Sequence, residues 1–583
     1  MSVRPVGTWI RSTSYVVLVG CAGIDSATSA DVTPGPRFTL DPVSETVSQV
    51  LPDPPDEPGY VPAPCGSCAL SCGAEQRCLG DVCTPRSDGV ARPLAPESLG
   101  VVTSQRPTFR WVLPARVEGA RFQLCGDRLC RAVLQTADVV GETFRPEAPL
   151  APGVYFWRVL ARRGTFLSEK PTPVWEFAVG ARDRGTDTVM DHLTDYNGDG
   201  YSDLALRLAE DRPLGVYLGG PEGLAIAPSA RFTLATGDDV RAGFSPVGDL
   251  DGDGFIEAIS VATRANDPAQ RAVYLYHGGP QGLGAMPGQL PPLAGSERWP
   301  DSFSSAGDLN GDGYGDLVGV DRERGDRPAR VRVFFGAARG LQAARGALLQ
   351  GDPGAELGAS ISGGGDVNGD GRPDLLVGSP SAASPGLALV WINRVGVCLQ
   401  AETTRLWGDP GSASLFGRAV SVVGDFNGDG YGDPLVAEPY APAVTGRSRA
   451  MLFQGGGFGV STAPASTLPF GGAQTESIRL RAGADFNGDG YGDVVAWMHN
   501  EERGPSMSLF YGSPSGLPRE PARMIRSSDL GSTETALSFA WAGDTDRDGY
   551  DDLALALRPT EWLLLRGSAE GLRVVDGPRL ELP

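Results

Sequence analysis

Asp195-Tyr196-Asn197-Gly198-Asp199-Gly200-Tyr201-Ser202-Asp203 sets oxygen-bearing side chains at positions 1, 3, 5 and 9 of a nine-residue run, with glycine at position 6. The pattern restarts at Asp249, Asp308, Asp366, Asp425, Asp485 and Asp544, at intervals of 54, 59, 58, 59, 60 and 59 residues. A long, nearly fixed period is the mark of stacked supersecondary units, either a solenoid or a propeller. The residues between the runs decide which.

After each acidic run comes a short apolar stretch such as Asp203-Leu204-Ala205-Leu206 or Asp374-Leu375-Leu376-Val377. A second β-rich run follows and closes on glycine and a Gly-Leu turn, as in Val333-Phe334-Phe335-Gly336 with Gly340-Leu341. That is a hairpin signal. One strand before the run and one after the Gly-Leu complete four per period, the content of a propeller blade.

The spacing suits a hard cation. Ca²⁺ takes about six to eight oxygens, and side chains at positions 1, 3 and 5 of a tight loop converge on it, with the backbone carbonyl of position 7 adding to them. Position 9 offers a last carboxylate, and glycine at position 6 permits the sharp turn. The candidate ligand sets are Asp195, Asn197, Asp199, Tyr201 and Asp203; Asp249, Asp251, Asp253, Phe255 and Glu257; and Asp308, Asn310, Asp312, Tyr314 and Asp316. Next come Asp366, Asn368, Asp370, Arg372 and Asp374, then Asp425, Asn427, Asp429, Tyr431 and Asp433. Asp485, Asn487, Asp489, Tyr491 and Asp493 form the sixth set, and Asp544, Asp546, Asp548, Tyr550 and Asp552 the seventh. An EF-hand begins the same way but needs Glu at position 12, where the first loop has Leu206.

The runs resemble the calcium loops of FG-GAP (VCBS-type) repeats, found in the integrin α-subunit propeller and in many bacterial surface proteins. Phe416-Gly417, ahead of the fifth loop, keeps the Phe-Gly element. The resemblance spans about residues 183–583 and implies a seven-bladed β-propeller with up to seven structural Ca²⁺. Three departures stand out: Glu257 at position 9 of loop 2, Arg547 at position 4 of loop 7, and Arg372-Pro373 in place of the usual aromatic pair in loop 4. Glu257 makes the second site the least secure, and Arg547 is expected to point away from the ion.

Charge agrees with a cation-binding protein. The formal net charge is -21, and the ligand positions of the loops hold 23 carboxylates, which repel one another at close quarters. Seven Ca²⁺ would bring -21 to -7. The same charge argues against nucleic acid as a partner, because phosphate contacts need a basic surface.

The N-terminal part places the protein outside the cytoplasm. Residues 1–20 carry Arg4, Arg11 and an apolar run from Tyr15 to Val19, which reads as an export signal. Leu18-Val19-Gly20-Cys21 resembles a bacterial lipoprotein box, implying a lipid anchor on Cys21 and an outer-membrane or cell-surface lipoprotein of a Gram-negative bacterium. The competing reading is cleavage near Ala27–Ala30 and secretion. Residues 21–64, rich in Pro, Ser, Thr and Asp, read as a tether too polar to bury a core.

Cys65, Cys68, Cys72, Cys78 and Cys83 form a Cys-rich segment over 65–85, favouring disulfides over zinc in an exported chain. Cys125 and Cys130 are close enough to bridge a hairpin. Residues 90–180 read as one small β-sandwich. Phe109-Arg110-Trp111, Gly153 to Val159 and Trp175-Glu176-Phe177 resemble the core aromatics of a fibronectin type III domain.

The expected architecture is therefore all-β, with a β-sandwich and a Cys-rich segment ahead of the propeller. The expected role is binding or adhesion through the blades to a protein or glycan on a cell surface or matrix, with the membrane as a second partner. Two alternatives stand beside it, a carbohydrate-active enzyme and an envelope spacer. His192, His277 and His499 are the only histidines and match no catalytic motif, so no catalytic residue is assigned. Arg324-Gly325-Asp326 spells an integrin-recognition tripeptide and is read as coincidence.

Overall fold

The computed structural model describes residues 76–79, 82–85 and, with interruptions, 91–580. The interruptions include 180–188, 208–213, 323–327, 394–401 and 531–537. Cys21, Cys65, Cys68, Cys72, Cys398, His192 and the Arg324-Gly325-Asp326 tripeptide lie outside the described residues. The protein is all-β: strands and turns make up the described part apart from one 3-10 turn at Ser527–Leu530. No helix among the described residues is long and apolar enough to cross a membrane.

The N-terminal portion begins with a two-stranded ribbon, Gln76–Leu79 against Val82–Pro85, whose register sets Cys78 opposite Cys83. Two further sheets follow. One holds Arg92–Ala95, Phe109–Val112 and Thr143–Phe144; the other runs in the order Val189–Met190, Gly100–Val102, Trp175–Val179, Gly153–Arg163, Gly119–Cys125, Val133–Val140. Period-2 alternation turns Phe109, Trp111, Phe122, Trp157, Trp175 and Phe177 into one shared core. Trp157 packs edge-on against both Phe109 and Trp175, at 5.2 and 5.9 Å between ring centroids. The sulfurs of Cys125 and Cys130 are bonded across the turn between two strands.

Seven more sheets follow in chain order, one for each acidic loop. The third is typical, with Ser302–Gly307, Asp316–Asp321, Arg330–Phe334 and Leu348–Gln350 pairing antiparallel in sequence. The first departs from the four-strand expectation, with three strands among the described residues: Leu204–Arg207, Leu214–Tyr217 and Ala230–Phe232. Val189–Met190, which lies ahead of loop 1, instead pairs with Val101 and Val102. The sheet of the small unit thus reaches past the 90–180 boundary expected for it.

In the second to seventh sheets the acidic loop is the connection of a hairpin. In five sheets the strand before the loop carries a bulge just ahead of position 1, between Pro246 and Gly248, Ser305 and Gly307, Gly363 and Gly365, Ala482 and Ala484, and Trp541 and Gly543. A bulge adds a residue and bends the strand. The residue after it then faces position 9 directly, as Gly307 faces Asp316 and Gly543 faces Asp552.

Neighbouring sheets share apolar layers. Val318, Val331 and Val333 of the third pack with Leu375, Val377 and Leu389 of the fourth. The series also joins its ends: Leu204, Leu206 and Tyr217 of the first sheet pack with Ala554, Trp562 and Leu564 of the seventh. Burying each such Leu or Val contributes about 1.5–3 kcal/mol.

Candidate metal centres

Position 1 organises each loop. Asp195 accepts the Gly198 and Gly200 N–H groups on separate oxygens at 2.7 and 2.6 Å, and Asp425 treats Gly428 and Gly430 alike at 2.6 and 2.7 Å. The position-6 glycine needs a positive φ, +82° at Gly200 and +88° at Gly430, where a β-carbon would strain the backbone. Position 5 then fixes the exit, as Asp199 Oδ1 accepts the Tyr201 N–H at 2.9 Å and Asp489 Oδ1 that of Tyr491 at 3.0 Å.

Position 9 is buried in every loop, with Asp203, Glu257, Asp316, Asp374 and Asp493 fully shielded from solvent and Asp433 and Asp552 nearly so. Its carboxylate ties the loop to the hairpin beyond. Asp493 Oδ2 accepts the Phe486 N–H at 2.8 Å and Oδ1 the Gly512 N–H at 2.9 Å. Asp203 and Asp374 repeat the arrangement. Glu257 does the same with its longer side chain, taking the Leu250 N–H at 2.8 Å and the Gly278 N–H at 3.4 Å. In loop 7, Thr545 donates its hydroxyl to Asp552 Oδ2.

Burial, and then repulsion from the other carboxylates of the loop, pushes these acids up. Asp203 rises to about 8, Glu257 to about 9 and Asp433 to about 8. Asp195 rises to about 6, chiefly through burial, with Asp199 adding to it. Asp316, Asp374, Asp493 and Asp552 are raised well above the ordinary carboxylate value for the same two reasons. Several buried like charges on oxygen donors alone form a donor set that fits a hard divalent cation.

Position 3 divides the loops. In loops 1, 3, 5 and 6 the Asn amide donates to Oδ2 of the position-5 aspartate, at 2.8, 3.0, 3.0 and 2.9 Å. In loops 2 and 7 an aspartate stands there. Only in these two, among the described residues, do three carboxylates of one loop come within 4.8 Å of one another: Asp249, Asp251 and Asp253, and Asp544, Asp546 and Asp548. Each has a base alongside, His277 Nδ1 at 3.4 Å from Asp251 and Arg566 at 3.1 Å from Asp546.

Consecutive loops are wired together, a feature that motif spacing does not reveal. The N–H of position 8 donates to the position-1 carbonyl of the loop before it, as Gly315 does to Asp249 at 2.7 Å and Gly432 to Asp366 at 2.7 Å. A second N–H, from beyond the following two strands, reaches the position-2 carbonyl, as Ala337 does to Leu250 at 2.9 Å. Ser202 and Gly220 extend the scheme from loop 1 to Asp544 and Thr545 of loop 7, at 3.1 and 3.0 Å. At the joint between loops 3 and 4 the position-8 residue is Pro373, which has no N–H. There the side-chain amide of Asn393 donates to the Leu309 carbonyl.

Position 4 meets the next loop. A β-carbon on Gly198 would fall 2.8 Å from the Phe255 ring, and one on Gly369 2.7 Å from the Tyr431 ring. Arg547 fills that position in loop 7 and lays its guanidinium 4.6 Å from the Tyr201 ring centroid. The sequence departure at Arg547 is thus a link across the joint between the last and first sheets.

Residues 357–391, which include the fourth loop, match the FG-GAP repeat family. Among curated proteins, human integrin alpha-IIb is 37% identical over 143 residues, covering 22% of this chain and 14% of its own length. Rat integrin alpha-7 is 31% identical over 137 residues, covering 22% and 12%, and Drosophila melanogaster integrin alpha-PS2 is 31% identical over 157 residues, covering 24% and 11%. This chain therefore spans only a small part of the length of these relatives. A crystal structure of an arginine-to-alanine mutant of AofleA from Arthrobotrys oligospora aligns with a TM-score of 0.33 at 11% identity, over 58% of this chain and 87% of that one, a likeness that carries no argument. Sequence and structure together therefore describe an all-β chain with an FG-GAP repeat, similar over a limited stretch to integrin α subunits.

Proposed function

We propose that this chain is a calcium-loaded, closed seven-bladed β-propeller that serves in binding or adhesion, held on the outside of a Gram-negative cell by a lipid on Cys21. One observation carries the reading: the seven loops each bury acidic oxygens, and the first is bonded to the seventh by the same position-8 N–H that joins neighbouring loops at every other joint except that of Pro373. Ca²⁺ would be held by the side chains at positions 1, 3, 5 and 9 and would supply charge neutralisation. The chain's own residues do the rest. Position 1 shapes the turn, position 9 pins it to the hairpin, and position 8 ties it to the loop before.

The local likeness to integrin α subunits supports a protein partner, and a glycan is kept as the second partner class. The FG-GAP likeness favours binding over catalysis. The unit at 90–180 is proposed as a fibronectin type III-like domain that spaces the ring from its anchor.

The test is calorimetric. A cation that binds only the folded chain adds about 4 kcal/mol per site at a thousandfold excess over Kd, so chelation is expected to lower the Tm sharply and calcium to restore it. An identical melt for metal-free protein with and without calcium would remove the metal from the proposal. Chelator-sensitive attachment to whole cells or to a glycan array would identify the partner class, and release of unsaturated sugars from a polysaccharide would favour the enzymatic alternative instead.

A further inference from the structure

The N-terminal sandwich is seated on the acidic loops. Trp175 Nε1 donates to the Gly311 carbonyl of loop 3 at 3.3 Å, and an Arg92 guanidinium nitrogen donates to the Asp370 carbonyl of loop 4 at 2.6 Å. Leu94 lies so close to loop 4 that a β-carbon on Gly371 would fall 2.7 Å from its Cα and from its carbonyl oxygen. A β-carbon on Gly254 of loop 2 would come 3.9 Å from the Phe156 ring.

The contacts share a pattern. All fall at positions 4 to 6, the tips of three successive loops. They come from three different strands of the sandwich and from both of its sheets. Two of them are hydrogen bonds to loop carbonyls, so their geometry depends on where the loop backbone is held. The oxygens proposed as ligands belong to side chains within these tips, Asp370 among them, and on either side of them.

We propose that the tips of loops 2, 3 and 4 form a docking face for the chain's own N-terminal sandwich, and that calcium in those loops holds the face in the shape the sandwich fits. This rests on the calcium reading given above. Occupied loops keep the Gly311 and Asp370 carbonyls in place for Trp175 and Arg92. When the cation leaves, carboxylate repulsion loosens the tips and the sandwich detaches, remaining joined through the segment around Val189–Met190. While it is docked, the tips of loops 2 to 4 are closed to any outside partner.

A matched pair of variants tests this on the full chain. Gly371 and Gly430 occupy the same loop position with φ of +81° and +88°, so Ala strains both backbones alike. Only at Gly371 does the added β-carbon meet the sandwich; at Gly430 it meets nothing within 4 Å. In millimolar calcium, Gly371→Ala is expected to lengthen the maximum dimension in small-angle X-ray scattering and to speed amide exchange at Arg92–Ala95 about tenfold, while Gly430→Ala changes neither. Chelation of the wild-type chain is expected to reproduce the Gly371→Ala profile.

If Gly371→Ala scatters like Gly430→Ala, the docking face is overturned. If calorimetric titration shows calcium binding but chelation leaves wild-type scattering unchanged, the cation control is overturned and the calcium reading stands. Failure to bind calcium at all overturns both.

Discussion

Loops 5 and 2 show how one residue divides the repeats. In loop 5, Asn427 accepts the Asp429 N–H through its oxygen at 2.9 Å and donates its amide to the Asp429 carboxylate at 3.0 Å. In loop 2, Asp251 has no amide to give, and it lies beside Asp249 and Asp253 with all three acids within 4.8 Å. An asparagine loop therefore carries its own donor and holds its form from within. An aspartate loop gathers more negative charge and has no amide at that position to offset it. The repeats are alike in outline and unequal in the negative charge they gather.

The sharpest break of that comparison is to convert the self-sufficient loops. Changing Asn197, Asn310, Asn427 and Asn487 together to Asp removes four amide donors and adds four negative charges. In chelator this is expected to cost about 0.5–1.5 kcal/mol per loop for the lost hydrogen bonds alone, with repulsion added. Urea unfolding in chelator measures it. With calcium present the deficit is expected to shrink or reverse.

The reverse exchange has a smaller effect of opposite sign. Asp251→Asn is expected to raise stability in chelator and to weaken calcium binding at that site about tenfold in calorimetric titration, equivalent to ~1.4 kcal/mol. Asp546→Asn should gain less, because Arg566 already neutralises Asp546 at 3.1 Å. Equal gains at the two loops would show that the base beside loop 7 has no part in its balance.

A pH series examines the trait that all the loops share. Asp203 rises from 3.8 to about 8 in the folded chain because it is buried and lies beside Asp195 and Asp199. Between those values the native state keeps a proton that the unfolded chain has released, so in chelator stability is fully present below about 4 and declines as pH rises towards 8. Calcium bound as proposed would hold the carboxylates ionised, and the decline should vanish with it. Melts at several pH values, with and without chelator, distinguish the two slopes.

The smallest expected effect lies at the joint of the last and first loops. Arg547→Gly restores the common residue, relieves a φ of +57° and removes the guanidinium from the Tyr201 ring. The cation–π loss of about 0.5–1 kcal/mol and the backbone relief act in opposite directions, so the net change is expected to stay under ~1 kcal/mol.

Much of the site could be read from sequence because its geometry is local. Positions 1 to 6 bond within a few residues of themselves, and a turn that must reverse sharply demands Gly200 or Gly371 in any context. The apolar strands after the loops were legible for the same reason, since a period of two shows within five residues. What escaped is non-local: the second partner of Asp493 lies nineteen residues away at Gly512, and the side-chain amide of Asn393 serves the Leu309 carbonyl of the loop before. An asparagine in a loop carries no mark of the distant oxygen it serves.

The amino-acid order alone therefore determined the period, the seven acidic turns, the carboxylates they carry and the strands that follow them. Tertiary structure alone decided that the seventh sheet packs on the first, that each loop bonds to its predecessor, and that the sandwich rests on the tips of loops 2, 3 and 4. The reason is the range of the forces. Turn sterics and short side-chain bonds act over a handful of residues, whereas burial of apolar faces and satisfaction of buried carbonyls are settled only when distant segments meet.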